Sequence, residues 1–181
     1  MKNMVRVLFL WFYCLDLWAA FLLVLVATVF FALIRDRLKG RRWWPGLLCF
    51  ALGCWFFLAT YSTIAARSGS EIAQHSFVPF HSYWEAWCGG NIEIYRSNFM
   101  NVALFYPAGL LAMALLPGRW GWRRRCLLVV LPLAVMSVGI EFLQYRFALG
   151  QCEIDDVIHN TLGALLGSLA ALLPPILPRK S

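Results

Sequence analysis

The chain has 181 residues, 61% of them hydrophobic and 16% aromatic, with only 14% charged and a formal net charge of +7. Soluble domains are about half apolar and about a quarter charged, so this composition excludes an ordinary soluble domain. Nucleic-acid binding is also a poor reading of the positive charge. The basic residues sit with Trp at the ends of apolar runs, as in "RDRLKGRRWW" and "GRWGWRRR", which is the pattern of membrane-interface loops.

Lys2 and Arg6 precede an apolar run from Val7 to Ile34. That run is longer than the roughly 7–15-residue apolar core of a secretory signal, and no clear small-residue cleavage site follows. A retained membrane helix is therefore expected within 7–34. Asp16 in this run would either face a bundle or lie near an interface. A second span is expected at about 44–66, a third at about 99–117, a fourth at about 126–146 and a fifth at about 156–174. Each approaches the roughly 20 apolar residues that cross a bilayer core. Period-2 alternation is absent, so helices rather than a barrel must satisfy the backbone in lipid. The fold class expected is an all-α polytopic membrane protein of about five transmembrane helices, forming a single membrane domain over 1–181.

Orientation follows from loop charge. Arg35, Arg37, Lys39, Arg41 and Arg42 lie in the first loop, Arg119, Arg123, Arg124 and Arg125 in the third, and Arg179 and Lys180 in the tail. With five spans these share one side, which places the C-terminus in the cytoplasm and the N-terminus outside. The 67–97 loop then falls outside and holds "HSFVPFHSYWEAW". Pro79 is suited to open a short helix there. Phe80, Trp84 and Trp87 would share a face of that helix, lying at the outer interface. Of the six cysteines, Cys14, Cys49, Cys54 and Cys126 read as small hydrophobes. Cys88 and Cys152 fall in two loops on the same side, where a disulfide could form.

The last third of the chain concentrates costly groups. Glu141 and Gln144 share a face near the outer end of the fourth span. Asp155, Asp156, His159 and Asn160 occupy the first turns of the fifth, and Asn98 and Asn101 the first turn of the third. Asp155 or Asp156 could simply cap its own helix. Gly163-x-x-x-Gly167 continues the Asp156/Asn160 stripe and reads as close helix packing. Glu141 lies inside an apolar helix, where ionisable groups usually face the bundle interior and mark function. One protonated acid beside one ionised base suits proton transfer. The catalytic candidates are Glu141 and Asp156, as acid and base or as oxygen ligands of a divalent cation. The substrate-binding candidates are Asn101, Gln144, Asn160 and Asp155. All but Asp155 are expected to converge with Glu141 and Asp156 in one outward-facing pocket between the third, fourth and fifth spans. A substrate that is lipid-linked or part of the cell wall fits such a position, with the lipid bilayer as the standing partner. A non-catalytic interhelical network is the alternative. A proton or solute path fits less well, because the inner halves of these helices are almost wholly apolar.

Three of these segments carry a family resemblance. "NVALFYPAGLL", "EFLQYRFALG" and "DDVIHNTLGALLG" resemble, in order, the Asn…Phe-x-Pro-x-Gly, Glu-x-x-Gln and Asp-x-x-x-Asn-Thr-x-Gly segments of the VanZ-like membrane protein family. "FVPF" is a weaker upstream match. The resemblance assigns about 70–173 to a VanZ-like region, preceded by extra N-terminal helices over about 7–66. It carries over Asn101, Glu141, Gln144, Asp156, Asn160 and Gly163. The family often has Asn where Ser76 stands and Arg near Gln151, and His159 has no counterpart. The resemblance implies action on the cell envelope. The founding member is linked to lowered susceptibility to the lipoglycopeptide teicoplanin.

Overall fold

The computed structural model describes residues 19, 21, 22, 24–35, 37–65 and 74–174. Asp16, Cys14 and the first part of the 7–34 run lie outside the described residues, as does the basic tail.

The described chain is mostly helical. Helix α1 covers Val24–Arg35. Helix α2, Trp44–Thr60, starts with Pro45 in its first turn, where the missing N–H is harmless. Its end widens into a π-turn over Tyr61–Ala65. The side chains there explain the widening: Ser62 Oγ and Thr63 Oγ1 both donate to Ala59 O, at 3.1 and 2.6 Å, competing with the backbone ladder. Strand β1, Gln74–Ser76, precedes the short helix α3, His81–Gly89. Helices α4, Ile92–Leu115, and α5, Trp122–Arg146, form an antiparallel pair. Strand β2, Gln151–Glu153, then leads into α6, Ile154–Ala170.

Among the described residues three helices are long and apolar enough to cross a membrane: Trp44–Ala65, Glu93–Leu115 and Trp122–Arg146. Helix α6 has 17 residues and the described part of α1 is shorter, so three of the about five expected spans are found among the described residues. The all-α expectation needs one amendment. β1 and β2 pair in parallel, Gln74 opposite Gln151 and Ser76 opposite Glu153. Three-residue strands carry too little periodicity to be read from sequence.

The helices are inside-out relative to a soluble bundle. Phe50, Phe57, Leu127 and Val135 point outward and are more than 60% exposed. Inside, Trp55, Ala59, Phe105, Ala108, Ile140 and Ala164 form one core cluster. Trp55 donates Nε1–H to Leu104 O at 2.6 Å and meets the edge of Phe105. The tightest seam joins α4 and α6. A Cβ on Gly163 would overlap Val102 O, one on Gly167 would overlap Tyr106 O, and one on Gly109 would overlap Ala164 O. Backbones therefore touch directly, the packing that small residues permit in lipid. Gly163 meets Val102 and Gly167 meets Tyr106, so the two helices run parallel. The small-residue stripe thus serves α4, not the antiparallel α5.

This topology gives the bundle two unlike ends. At one, Arg35 donates to Ala171 O and Leu173 O, just past the C-terminus of α6. Arg125 likewise donates to Met113 O in the last turn of α4. At the other end lie α3, the two strands and the N-termini of α4 and α6.

Candidate functional site

The buried polar groups gather at this second end. Ser137, Glu141 and Gln144 form one inward stripe on α5 and are at most 4% exposed. The spacing i, i+4, i+7 is one helical face. Asn160 of α6 donates to Ser137 Oγ at 2.8 Å, which fixes the antiparallel register of the two helices. One turn further toward the polar end on each helix, that register sets Glu141 level with Asp156. Cys152 lies within electrostatic reach of both carboxylates, and its thiol donates to Glu141. Burial first, and the Glu141 and Asp156 charges after it, push that thiol above its ordinary value.

Each sequence candidate has a definite partner. Glu141 accepts from the Glu153 backbone N–H at 3.0 Å. Asp156 accepts from Asn101 Nδ2 at 2.6 Å, joining α6 to α4. Gln144 donates to Thr63 O at 2.9 Å, on the π-turn of α2. The residues expected in a single pocket make paired contacts on four seams: α5 with β2, α4 with α6, α5 with the π-turn of α2, and α5 with α6. Glu141 lines an apolar cavity described below, while the amides are seated between helices. Among the described residues Gln144 Oε1 and Asn160 Oδ1 are buried acceptors with no hydrogen-bond partner. Buried acceptors of this kind ask for a donor from water or ligand.

Asp155 and Asp156 are neighbours with separate work. Asp155 is 2% exposed. It caps neither α6 nor itself: α6 starts at Glu153 without a side-chain cap. Its carboxylate accepts instead from Phe80 N–H, Ser82 N–H and Ser82 Oγ, so it caps α3 from across the chain. Helix α3 begins after Phe80, which stands in the left-handed region at φ 62°. Pro79 therefore sits before the helix rather than opening it. Asn98 Nδ2 adds a bond to Ser82 Oγ at 3.1 Å, and Tyr83 OH meets His159 Nε2 at 2.7 Å. Phe80, Trp84 and Trp87 all remain more than half exposed, as an interfacial face requires.

Sequence reasoning missed Ser137, Thr63, Ser82, Tyr83 and Cys152. Ser137 was findable, because it continues the Glu141/Gln144 stripe at helical spacing. The others lie on segments that only the fold brings near. Cys88 and Cys152 are both free thiols. Among the described residues no three His, Cys, Asp or Glu side chains gather as a metal would need.

Among the described residues, cavities of two kinds adjoin the polar end. One, about 220 Å³, is apolar and runs along α5, with Val138, Phe142, Tyr145 and Val157 on its walls and Glu141 and Cys152 at its back. The other, about 800 Å³, is polar and lies between α3, the start of α4 and β2, where Glu85, Glu93, Arg96 and Glu153 face it.

Comparison with curated proteins and with solved structures returns no match. A family model does match: the one described as VanZ/LLP1 covers residues 45–175.

Proposed function

Starting from the fact that this chain belongs to the VanZ-like family, we propose that it is a multi-pass membrane protein acting on the cell envelope from the outer face. In this reading the arginine end is cytoplasmic, as is the C-terminus, and the N-terminus lies outside. Glu141 and Asp156 work as an acid/base pair on a lipid-linked or cell-wall substrate. Asn101 and Asn160 orient the pair and Gln144 fixes its outer edge.

The observation that carries the proposal is Glu141 itself. It is 4% exposed in the last turns of an apolar helix, level with Asp156. A carboxylate near a helix C-terminus gains nothing from the helix dipole, which favours anions at the other end. Capping therefore does not account for Glu141, whereas it does account for Asp155. Buried amides that hold unsatisfied acceptors beside such a pair suit a ligand rich in donors.

The test is Glu141→Gln and Asp156→Asn, each in well-expressed protein, with profiling of lipids and cell-wall precursors and a teicoplanin susceptibility measurement. Both variants should lose the wild-type profile while their thermal midpoints in detergent stay close to wild type. A wild-type profile from both would reject the enzyme reading. One observation favours a second reading, a non-catalytic binder with a structural polar network: Glu141 and Asp156 each already accept a hydrogen bond. In that case the same substitutions would lower the thermal midpoint together with function.

A further inference from the structure

Strand β2 lines both the apolar and the polar cavity. Successive strand residues point to opposite faces, and β2 follows that rule. Gln151 and Glu153 line the polar cavity, Cys152 the apolar one, and Glu153 reaches the rim of both. An 800 Å³ polar cavity and a 220 Å³ apolar one therefore meet at a single residue.

The apolar cavity opens sideways. Its most exposed lining residues are Phe77, Phe142 and Val138, 64%, 63% and 54% exposed, the last two on α5. That helix is among those apolar and long enough to cross a membrane. A mouth on that face opens into hydrocarbon, not water. A dry groove open to hydrocarbon is filled by hydrocarbon, since an empty one forfeits dispersion contacts along its whole lining. Its volume of about 220 Å³ holds a stretch of hydrocarbon chain. The polar cavity has the opposite character. It lies at the level of α3, whose exposed Trp84 and Trp87 mark a membrane–water interface. Its walls carry three carboxylates, Glu85, Glu93 and Glu153, against one guanidinium, Arg96. Such a lining repels an anionic group and attracts a cationic donor.

We propose that the two cavities form one lipid site, in which a hydrocarbon chain lies in the groove along α5 and an ammonium-bearing headgroup lies in the carboxylate-lined cavity across β2. The inference rests on the orientation and site proposed above and names the substrate class for it. The junction between headgroup and chain then falls beside Glu153, with Glu141 and Cys152 behind the strand. The ammonium places positive charge among Glu85, Glu93 and Glu153, with Arg96 on the same wall.

Native mass spectrometry of the full chain tests this, using nanodiscs with equal phosphatidylethanolamine and phosphatidylglycerol. The expected result is one retained lipid, with phosphatidylethanolamine favoured about tenfold. Val138→Trp fills the groove mouth from a lipid-exposed position and should lower retention of both lipids. Phe142→Trp does the same from the next turn, should Val138→Trp fail to fold. Glu85→Gln with Glu153→Gln should remove the preference while keeping the chain-dependent binding. Equal retention of the two lipids by the wild type, or retention unchanged by both tryptophan variants, would overturn the site. The outcomes separate from those of the enzyme reading. If Glu141→Gln leaves the envelope profile unchanged while selective retention persists, the enzyme reading fails and the lipid site stands. If Glu141→Gln abolishes the profile while the wild type retains both lipids equally, the lipid site fails alone.

Discussion

The arginine end and the polar end of the bundle solve the same problem with opposite charges. At the arginine end the helix C-termini of α4 and α6 expose carbonyls, and Arg125 and Arg35 donate to them. At the polar end the helix N-termini expose N–H groups, and Asn91 and Asp155 accept from α4 and α3. Both arrangements complement the unsatisfied groups and the dipole of a helix terminus. What remains after this pairing differs. The two arginines donate to carbonyls at helix ends. The polar end keeps Glu141, Asp156 and two amides that capping does not require. That surplus is what the proposed function rests on.

The α4–α6 seam holds both ends in register, so breaking it gives the largest effect. Gly163→Val drives a side chain into the Val102 carbonyl and should cost about 3 kcal/mol or more. Thermal unfolding in detergent checks this, with Gly53→Val as the control, since a Cβ there meets nothing within 4 Å. A wild-type midpoint for Gly163→Val would contradict the backbone contact.

Next comes the carboxylate that caps α3. Asp155→Ala strands two N–H groups and a hydroxyl and should cost about 2 kcal/mol, with α3 released to proteolysis before the rest of the bundle. Asp156→Ala leaves those bonds intact and should not release α3. Equal proteolysis of the two variants would erase the division of labour between neighbouring aspartates.

On the arginine side the effects are smaller. Arg35→Ala removes donors from two carbonyls at the end of α6 and should cost about 1 kcal/mol. A loss as large as that of Asp155→Ala would mean that the two ends are not capped with the unequal strength their burial suggests.

The smallest effect is a pH slope. Burial first, then the Asp155 and Glu85 charges, push the Glu153 carboxyl above its ordinary range, with His81 opposing. The folded chain holds that proton more tightly than the unfolded one. Stability from this group is therefore fully present below the ordinary glutamate pKa and is lost as pH rises through the raised folded value. Thermal midpoints measured across that window should fall with pH, and Glu153→Gln should flatten the slope. A midpoint that rises with pH through Glu153 would show the carboxyl to be stabilised as the anion.

Much of the site was legible because it follows from costs that the sequence displays. Glu141 inside an apolar run has to turn inward, and it is buried. Gly163 and Gly167 at small-residue spacing announce a close seam, and they form one. Their partner was not legible, since parallel and antiparallel neighbours offer the stripe the same fit. The division between Asp155 and Asp156 was not legible either. Adjacent residues on a helix point about 100° apart, and which faces α3 depends on where a separate segment docks.

The sequence by itself determined the helical, membrane-type character of the chain, its family, and the end at which its ionisable groups collect. These follow from composition and local spacing, because apolar runs and buried charges carry their free-energy cost wherever they lie. Only the tertiary structure decided that α6 packs on α4, that Asp155 caps α3, and that β2 lines both a polar cavity and an apolar one. Those choices depend on contacts between segments far apart in the chain, Phe80 with Asp155, 75 residues away, being one. Nothing in the local spacing of either segment specifies the other, so the docking of the helices selects the partner.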